Sequence, residues 1–333
     1  MKTIRVLVVG GAGYIGSVTA AKLVEQGYQV SIFDNLSTGH IQAIPQTAAF
    51  YLGDLKDSDR INAVIAEVAP DIVFHFAALA EVGESMRNPT LYYRENVGNS
   101  INLFEACVAN GVKKIIFSST CTVYPATQTA ITDESTLLPQ NSYGETKLAV
   151  EKMLHWFQSA YGFRYAVLRY FNACGAYGVL GEDHTPESHL IPLVLQTALG
   201  RRSHIEIYGT DYDTDDGTCI RDYVHVADLA DAHLLAVQYL DQHSNITCNL
   251  GSGSGYSVRE VIDAVIQVTG NHFQVVESAR RKGDPSRLVG QSITAQRELG
   301  WIPKRSKLTE IVSTAYEWMC QHPSGYTGGN GNI

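Results

Sequence analysis

Short apolar runs rich in β-branched residues alternate with longer amphipathic stretches through the first half of the chain. Strands are predicted at 4–9, 29–34, 50–53, 72–75, 114–118 and 165–169, and helices at 15–26, 57–68, 91–110 and 143–161. The strand segments are continuously apolar, which is typical of strands that are buried on both faces. Alternating strands and helices of this kind predict an α/β fold built on a doubly wound parallel sheet with helices on both sides.

The pattern changes after residue 175. Segment 176–186 is rich in Gly, Asp and Pro, and 209–219 is a polar loop. Helices are predicted again at 227–240, 258–269 and 308–321, with a strand at 246–250. We therefore expect one domain over 1–175 and a smaller mixed α/β lobe over 176–333. Segments around 222–255 are expected to return to the first domain.

The composition is that of a globular protein, with 45% hydrophobic and 18% charged residues among 333. A formal net charge of -9 gives no general attraction to nucleic acid or to an anionic membrane, so neither is expected as a partner. No segment approaches the roughly 20 apolar residues that a membrane-spanning helix needs. The six cysteines form no CxxC pair, which disfavours a disulfide framework or a zinc site and favours a cytoplasmic protein.

Three glycines follow the first predicted strand. Gly10, Gly13 and Gly16 lie between that strand and the helix that begins near residue 15. Glycines permit a tight turn and let a pyrophosphate approach the backbone, while the helix N-terminus offers free N–H groups and a partial positive charge. The order of strand, glycines and helix predicts a dinucleotide site on a Rossmann-type domain.

An acidic residue ends the second predicted strand, eighteen positions after the last of these glycines. A carboxylate at Asp34 can accept hydrogen bonds from an adenosine ribose and repels a 2′-phosphate, which favours NAD over NADP. Asp54, after the third predicted strand, is placed to contact the adenine edge.

A tyrosine and a lysine lie four residues apart on the helix predicted at 143–161. Tyr143 and Lys147 therefore share one helix face. A tyrosine with an ordinary pKa of about 10 is a poor base at neutral pH, and a nearby ammonium group lowers that pKa. Ser118 and Thr120 end the fifth predicted strand, at the edge where parallel sheets bind their ligands. Together these residues predict proton transfer from a substrate hydroxyl beside a nicotinamide ring.

These motifs resemble those of the extended short-chain dehydrogenase/reductase family. The resemblance rests on GGAGYIGS at 10–17, HFAA at 75–78, SSTCTVY at 118–124 and YGETK at 143–147. The segments RYFN at 169–172, GED at 181–183, RDYVHV at 221–226 and RRKGD at 280–284 narrow it to the UDP-glucose 4-epimerase family. The resemblance extends from about residue 4 to residue 326.

The resemblance implies interconversion of UDP-galactose and UDP-glucose through transient oxidation of sugar carbon 4 by bound NAD, with no net redox change. It implies Tyr143 as the base, Lys147 as its electrostatic partner and Thr120 as a hydroxyl relay. The residues implied to bind NAD are Gly10, Gly13, Tyr14, Ile15, Gly16, Asp34, Asn35, Asp54, Leu55, Phe76, Ala77, Ala78, Asn96, Ser118, Tyr143, Lys147 and Phe171. The residues implied to bind the UDP-sugar are Thr120, Tyr143, Asn172, His189, Leu190, Glu206, Tyr208, Arg221, Arg281, Asp284 and Leu288. Two arginines in that set suit a diphosphate, which an acidic protein would otherwise repel.

Three alternatives share the scaffold. A 4-epimerase of UDP-N-acetylhexosamines or UDP-pentoses differs in its sugar pocket, where Leu288 aligns with the family's size-determining residue and is intermediate in bulk. A 4,6-dehydratase is disfavoured because the segment Thr120-Cys121-Thr122 carries no acid. A non-catalytic NAD-binding regulatory protein needs no YxxxK motif and is disfavoured by its presence.

No metal is expected. His184, Glu187 and His189 are possible ligands, but their segment reads as a loop that joins the two lobes. The resemblance also suggests a homodimer whose interface is formed by the helices predicted at 91–110 and 143–161.

Overall fold

A computed structural model describes residues 3–126, 129–281 and 284–326. Lys282 and Gly283, which belong to the RRKGD segment, lie outside the described residues. The strands are β1 (Arg5–Val9), β2 (Gln29–Asp34), β3 (Ala49–Leu52), β4 (Ile72–His75), β5 (Lys114–Thr120), β6 (Arg164–Tyr170), β7 (Asn172–Cys174), β8 (His204–Tyr208), β9 (Ile220–His225), β10 (Asn245–Leu250), β11 (Gly255–Ser257), β12 (Gln274–Ser278) and β13 (Arg287–Leu288). The α-helices are α1 (Tyr14–Glu25), α2 (Ser58–Val68), α3 (Val82–Arg87), α4 (Pro89–Tyr92), α5 (Asn99–Ala109), α6 (Ser142–Tyr161), α7 (Leu190–Ala198), α8 (Val226–Gln242), α9 (Val258–Thr269) and α10 (Leu308–Gln321).

A seven-stranded parallel sheet forms the centre of the molecule, in the order β10-β6-β5-β4-β1-β2-β3. Helices α1 and α8 cover one face, and α2, α5 and α6 cover the other. Alternate residues of β1 are buried in the two layers, Val6 and Val8 in one and Leu7 and Val9 in the other. The predicted doubly wound fold is therefore confirmed. Its strand order reverses between β1 and β4, and ligands of such sheets bind at the carboxyl ends of the strands near that reversal.

The predicted helix at 91–110 is divided in the structure. It consists of α4, a π-helical turn at Tyr93–Gly98, and α5. The turn contains Asn96, whose side-chain amide donates to Leu79 O and to Thr146 Oγ1, both at 3.0 Å. Periodicity alone does not reveal a π turn, because one extra residue leaves the apolar pattern almost unchanged.

The second half adds two small sheets that the sequence pattern did not predict. Strand β9 pairs with β11, β13 and β7, while β8 pairs with β12. Several of these strands are only two or three residues long, which is too short for a periodic signal. Helices α7, α9 and α10 pack against them in a separate apolar cluster. No helix in the described ranges has both the length and the apolar character needed to cross a membrane.

A buried ion pair joins α6 to the central sheet. Arg169 of β6 donates to Glu151 of α6 through Nε at 3.0 Å and through Nη2 at 2.6 Å, and the two side chains are 6% and 7% exposed. Ser119 Oγ donates to the same carboxylate, and Arg169 donates to the Tyr124 hydroxyl at 2.7 Å. The pair therefore fixes the helix that carries the predicted base.

Replacing Glu151 with Gln leaves the Arg169 guanidinium buried without its counter-charge. We expect the free energy of unfolding to fall by about 3–5 kcal/mol. Arg259→Gln is the matched control, since its pair with Glu277 is 39% and 57% exposed and should contribute at most about 1 kcal/mol. Urea unfolding followed by circular dichroism measures both variants, and equal losses would contradict the structural role of the buried pair.

Candidate active site

A cleft at the carboxyl ends of β1 to β4 contains most of the residues predicted to bind the dinucleotide. The predicted residues that line it are Gly10, Gly13, Asp34, Asn35, Asp54, Leu55, Phe76, Ala77 and Ala78. Lining residues that the sequence did not indicate include Phe33, Ser37, Thr38, Gly39, Glu95 and Asn99. Ser37, Thr38 and Gly39 are of types common in loops, so no sequence signal separated these three from ordinary turn residues.

Glycine is required at two positions of the turn between β1 and the first residues of α1. A Cβ atom at Gly10, where φ is +80°, would lie 2.5 Å from Ala77 N, and one at Gly16 would lie 2.2 Å from Gly10 O. At Gly13 the nearest atom is 3.5 Å away, and this residue begins α1 without any side-chain cap. The first N–H groups of α1 therefore have no side-chain partner, which fits a pyrophosphate bound at the helix N-terminus.

Asp34 is held at the end of β2 by backbone hydrogen bonds. Its carboxylate accepts from Ala12 N at 2.9 Å and from Leu36 N at 2.8 Å, and the residue is 8% exposed. Burial raises the pKa of Asp34, and these backbone hydrogen bonds oppose the increase. Asn35 donates to Asp54 at 3.0 Å, so the two predicted adenosine contacts are linked.

The other predicted dinucleotide residues do not line this cleft. They are Tyr14, Ile15, Gly16, Asn96, Ser118, Tyr143, Lys147 and Phe171. One of them, Asn96, supports its wall, and Phe171 has a different neighbour. Asn96 is 2% exposed and accepts from Leu79 N at 2.8 Å, and Leu79 is a lining residue. Phe171 packs against Gly290, where a Cβ atom would lie 2.0 Å from its ring.

The start of α6 lies against the turn that follows β5. Asn141 caps the helix by accepting from Gly144 N at 2.8 Å. A Cβ atom at Gly144 would lie 2.4 Å from Thr122 O, so only glycine permits this contact. The close approach places Tyr143 within hydrogen-bonding reach of Thr120.

Lys147 is 2% exposed and directed at the end of β5. Its Nζ donates to Ser118 O at 2.8 Å and lies 4.8 Å from the centre of the Phe117 ring. Burial lowers the pKa of Lys147 to about 7, and the nearby carboxylate of Glu151 opposes that decrease. The ammonium form is therefore lost in the cofactor-free chain as the pH rises through about 7.

The expected decrease in the pKa of Tyr143 is wrong for the cofactor-free chain. Burial raises the pKa of this phenol above its ordinary value, and the hydrogen bond with Thr120 only partly opposes the increase. The Lys147 ammonium donates to a backbone carbonyl of β5 and has a lowered pKa of its own. Tyr143 is consequently a neutral phenol until another positive charge approaches it.

A second cleft lies beside β7, β8 and β9. Of the predicted substrate residues, it is lined by Asn172, His189, Leu190, Glu206, Tyr208, Arg221, Arg281 and Asp284. Glu182, Ser188, Arg202 and Tyr223 also line it and were not predicted. Leu288 is not among the lining residues but pairs with Arg221 across β13 and β9. Thr120 and Tyr143 also lie outside this lining.

Arginine side chains give this cleft its chemical character. Arg221 donates to two backbone carbonyl groups at 2.8 and 2.9 Å, and its Nη2 lies 3.8 Å from Asp284. The guanidinium of Arg281 lies 3.8 Å from the centre of the Tyr208 ring. Arg202 is a third cation in the wall. Three guanidinium groups that line one cleft can donate hydrogen bonds to a diphosphate and neutralise its charge.

Two hydrogen bonds connect the regions around the two clefts. The Tyr14 hydroxyl at the start of α1 donates to Gly175 O at 2.5 Å. Ser188 Oγ, beside the second cleft, donates at 2.9 Å to Glu81, which follows the loop after β4. These hydrogen bonds limit movement of one cleft relative to the other.

Because burial depresses the pKa of Lys147, folding releases its proton between about pH 7 and the ordinary lysine pKa of about 10.4. The unfolded chain binds more protons over that range, so this residue makes the folded state more stable as the pH rises. We expect the stability of the cofactor-stripped protein, relative to Lys147→Met, to increase between pH 7 and 9.5. Urea midpoints across that range measure it, and a difference independent of pH would contradict the lowered pKa.

Curated and solved relatives align with nearly the whole chain. A UDP-glucose 4-epimerase of Halalkalibacterium halodurans is 49% identical over 329 residues, covering 98% of both chains. The crystal structure of a UDP-glucose 4-epimerase from Brucella ovis in complex with NAD superposes with a TM-score of 0.92 at 46% identity, covering 95% of this chain and 98% of that one. One from Bifidobacterium longum, in complex with NAD+ and UDP, gives a TM-score of 0.91 at 36% identity, with coverage of 96% and 99%.

The profile of one protein family also matches residues 6–251, which is more than half of the chain. The matched region includes the glycine turn, the end of β5 and the YxxxK motif of α6. The protein therefore belongs to the NAD dependent epimerase/dehydratase family.

Proposed function

We propose that this protein interconverts UDP-galactose and UDP-glucose by inverting sugar carbon 4 with bound NAD. The order of strands in the central sheet carries the proposal. The glycine-lined cleft lies at the ends of β1, β2 and β4, Thr120 ends β5, and Asn172 of the second cleft follows β6. Tyr143 and Thr120 therefore lie between a dinucleotide cleft and an arginine-lined cleft.

Within this arrangement Tyr143 removes the proton of the sugar 4-hydroxyl, directly or through Thr120. Lys147, when protonated, supplies a positive charge near the end of β5. NAD supplies, when bound, the hydride acceptor and donor for carbon 4 and a cationic ring that favours the phenolate. Arg221 and Arg281 hold the diphosphate, so that the sugar can present either face of its ring to Tyr143.

A second sugar class is also proposed. A solved relative from Campylobacter jejuni, 40% identical with a TM-score of 0.85, is named a UDP-Glc/GlcNAc 4-epimerase. The resemblance assigns Leu288 to the family's size-determining position, and leucine is smaller than an aromatic residue. We therefore propose that UDP-N-acetylhexosamines are converted as minor substrates.

Further proposals concern organisation and location. Tyr93, Ile101 and Trp156 lie on neighbouring helical segments and are 46%, 38% and 69% exposed, which supports a homodimer formed through this face.

All six cysteines are free thiols, which supports a cytoplasmic enzyme of galactose metabolism. We retain the proposed division into an NAD domain over 1–175, to which segments around 222–255 return, and a UDP-sugar lobe over 176–333.

The decisive test is incubation of the purified protein with UDP-galactose and no added NAD. Formation of UDP-glucose, followed by chromatography, is expected. Tyr143→Phe removes the hydroxyl that transfers the proton, and we expect kcat to fall by at least about 100-fold. Tyr161→Phe, an exposed tyrosine on the same helix, is the control and should retain full activity. Near-normal turnover by Tyr143→Phe would reject the proposed base.

Asp34→Asn tests the proposed ribose contact. The amide keeps the shape of the carboxylate but weakens a charge-assisted hydrogen bond, so we expect NAD to bind about 10- to 100-fold more weakly. Fluorescence titration of the cofactor-stripped protein measures the affinity. Asp59→Asn, an exposed acid in the first turn of α2, is the control. Unchanged NAD affinity in Asp34→Asn would rule out the ribose contact.

A further inference from the structure

Four side chains with metal-binding atoms converge in the segment between β7 and α7. We call Glu182, His184, Glu187 and His189 the linker cluster. One donor atom from each lies within 4.8 Å of the other three. His189 Nδ1 is 2.7 Å from Glu182 Oε1 and 3.3 Å from Glu187 Oε1, and His184 Nδ1 is 3.4 Å from Glu182 Oε1. Two imidazole nitrogens and two carboxylate oxygens thus face one point.

The acidic members of the cluster are buried. The side chains of Glu182 and Glu187 are 7% and 6% exposed. The backbone beneath them is fixed, because Gly181 N donates to the Tyr326 hydroxyl at 2.9 Å and a Cβ atom at Gly181 would lie 2.2 Å from the Trp318 indole. Buried carboxylates need positive charge or strong donors close by. Glu187 accepts from Ser188 N at 2.7 Å and from His189 N at 2.8 Å, whereas Glu182 faces the two imidazole groups.

One atom of the cluster lacks a partner. His184 Nδ1 is buried and makes no hydrogen bond, although it faces Glu182 at 3.4 Å. Buried polar atoms nearly always make a hydrogen bond, so an imidazole nitrogen that faces a carboxylate at ion-pair distance without one requires an explanation. A cation held between the two groups provides one, because it binds the nitrogen lone pair and the carboxylate oxygen together.

The distances between the donor atoms of the linker cluster are compatible with tetrahedral coordination of zinc. Ligand atoms about 2.1 Å from a tetrahedral ion lie about 3.4 Å from each other, which matches two of the three measured separations. Imidazole nitrogen combined with carboxylate oxygen favours Zn²⁺, whereas Mg²⁺ prefers oxygen ligands in an octahedron. We propose that the linker cluster binds one Zn²⁺ ion. The sequence argued against a metal because the segment has the composition of a loop that joins the two lobes, and it did not reveal that Glu182 contributes a fourth donor atom.

The position of the cluster gives the ion a structural role. Glu182 and His189 line the second cleft, and the His184 ring packs edge-on against Tyr14, with ring centres 6.4 Å apart. Tyr14 is the first residue of α1, directly after the glycine turn. An ion in the cluster would fix the segment that separates the two clefts. The inference does not require the proposed reaction, although His189 is also among the residues expected to contact the UDP-sugar.

The experiment measures zinc binding directly on the full-length protein. A Cys320→Ser background removes the exposed free thiol, which would otherwise bind zinc. After treatment with a chelator and dialysis, isothermal titration with Zn²⁺ is expected to give one tight site per chain. Co²⁺ should produce the visible absorption of a four-coordinate ion without a thiolate charge-transfer band. Excess Mg²⁺ should displace neither metal.

Matched variants locate the site. In the same background, His184→Ala and Glu187→Gln should each weaken Zn²⁺ binding at least about 100-fold, as loss of a ligand does. His272→Ala removes an exposed histidine outside the cluster and should change nothing. Circular dichroism and NAD retention verify folding of each variant. If the parent protein binds no Zn²⁺, or if both cluster variants bind it as tightly as the parent, the cluster is an ion-paired set only and the proposal is overturned.

Discussion

The buried ion pair between Glu151 and Arg169 determines where α6 lies, and the chemistry of the site depends on that position. The carboxylate also accepts from Ser119, while Lys147, one turn earlier on the same helix, donates to Ser118 O. Two consecutive residues of β5 are thus bound to one face of one helix. Thr120 is the next residue of that strand, so these contacts help to place its hydroxyl, which also accepts from Thr122 N at 3.1 Å, relative to the phenol.

The same burial that positions these groups sets their resting protonation. Removal of water raises the pKa of Tyr143 and lowers that of Lys147, so both groups favour their neutral forms in the cofactor-free chain. Glu151 is the charged group that opposes the change at Lys147. A cationic cofactor would therefore do more than accept a hydride, because its charge favours the phenolate. Without a dinucleotide the proposed base is held in its neutral form.

The sequence predicted those features whose signal is local and repeated. The glycine turn, the acid at Asp34 and the YxxxK spacing are short motifs in a fixed order, and buried parallel strands are continuous apolar runs. Features that depend on distant contacts were missed. The π turn around Asn96 leaves the periodicity intact, Arg202 reaches the second cleft only through the packing of the lobe, and the strands around β9 are too short to detect.

The error concerning Tyr143 has a similar origin. Spacing on a helix shows that a lysine is near a tyrosine, but it does not show how much water either group loses. Desolvation depends on all the elements packed around the site, and here it outweighs the charge that the motif brings.

The last strand to join the central sheet has a consequence for biosynthesis. β10 pairs along its whole length with β6, although 74 residues separate Tyr170 from Asn245 in the chain. Until the ribosome has released that distant segment, β6 presents an open row of backbone donors and acceptors. A nascent chain that ends between the two strands exposes β6 as an unpaired edge strand. Premature termination in this region would therefore favour aggregation of the truncated chain.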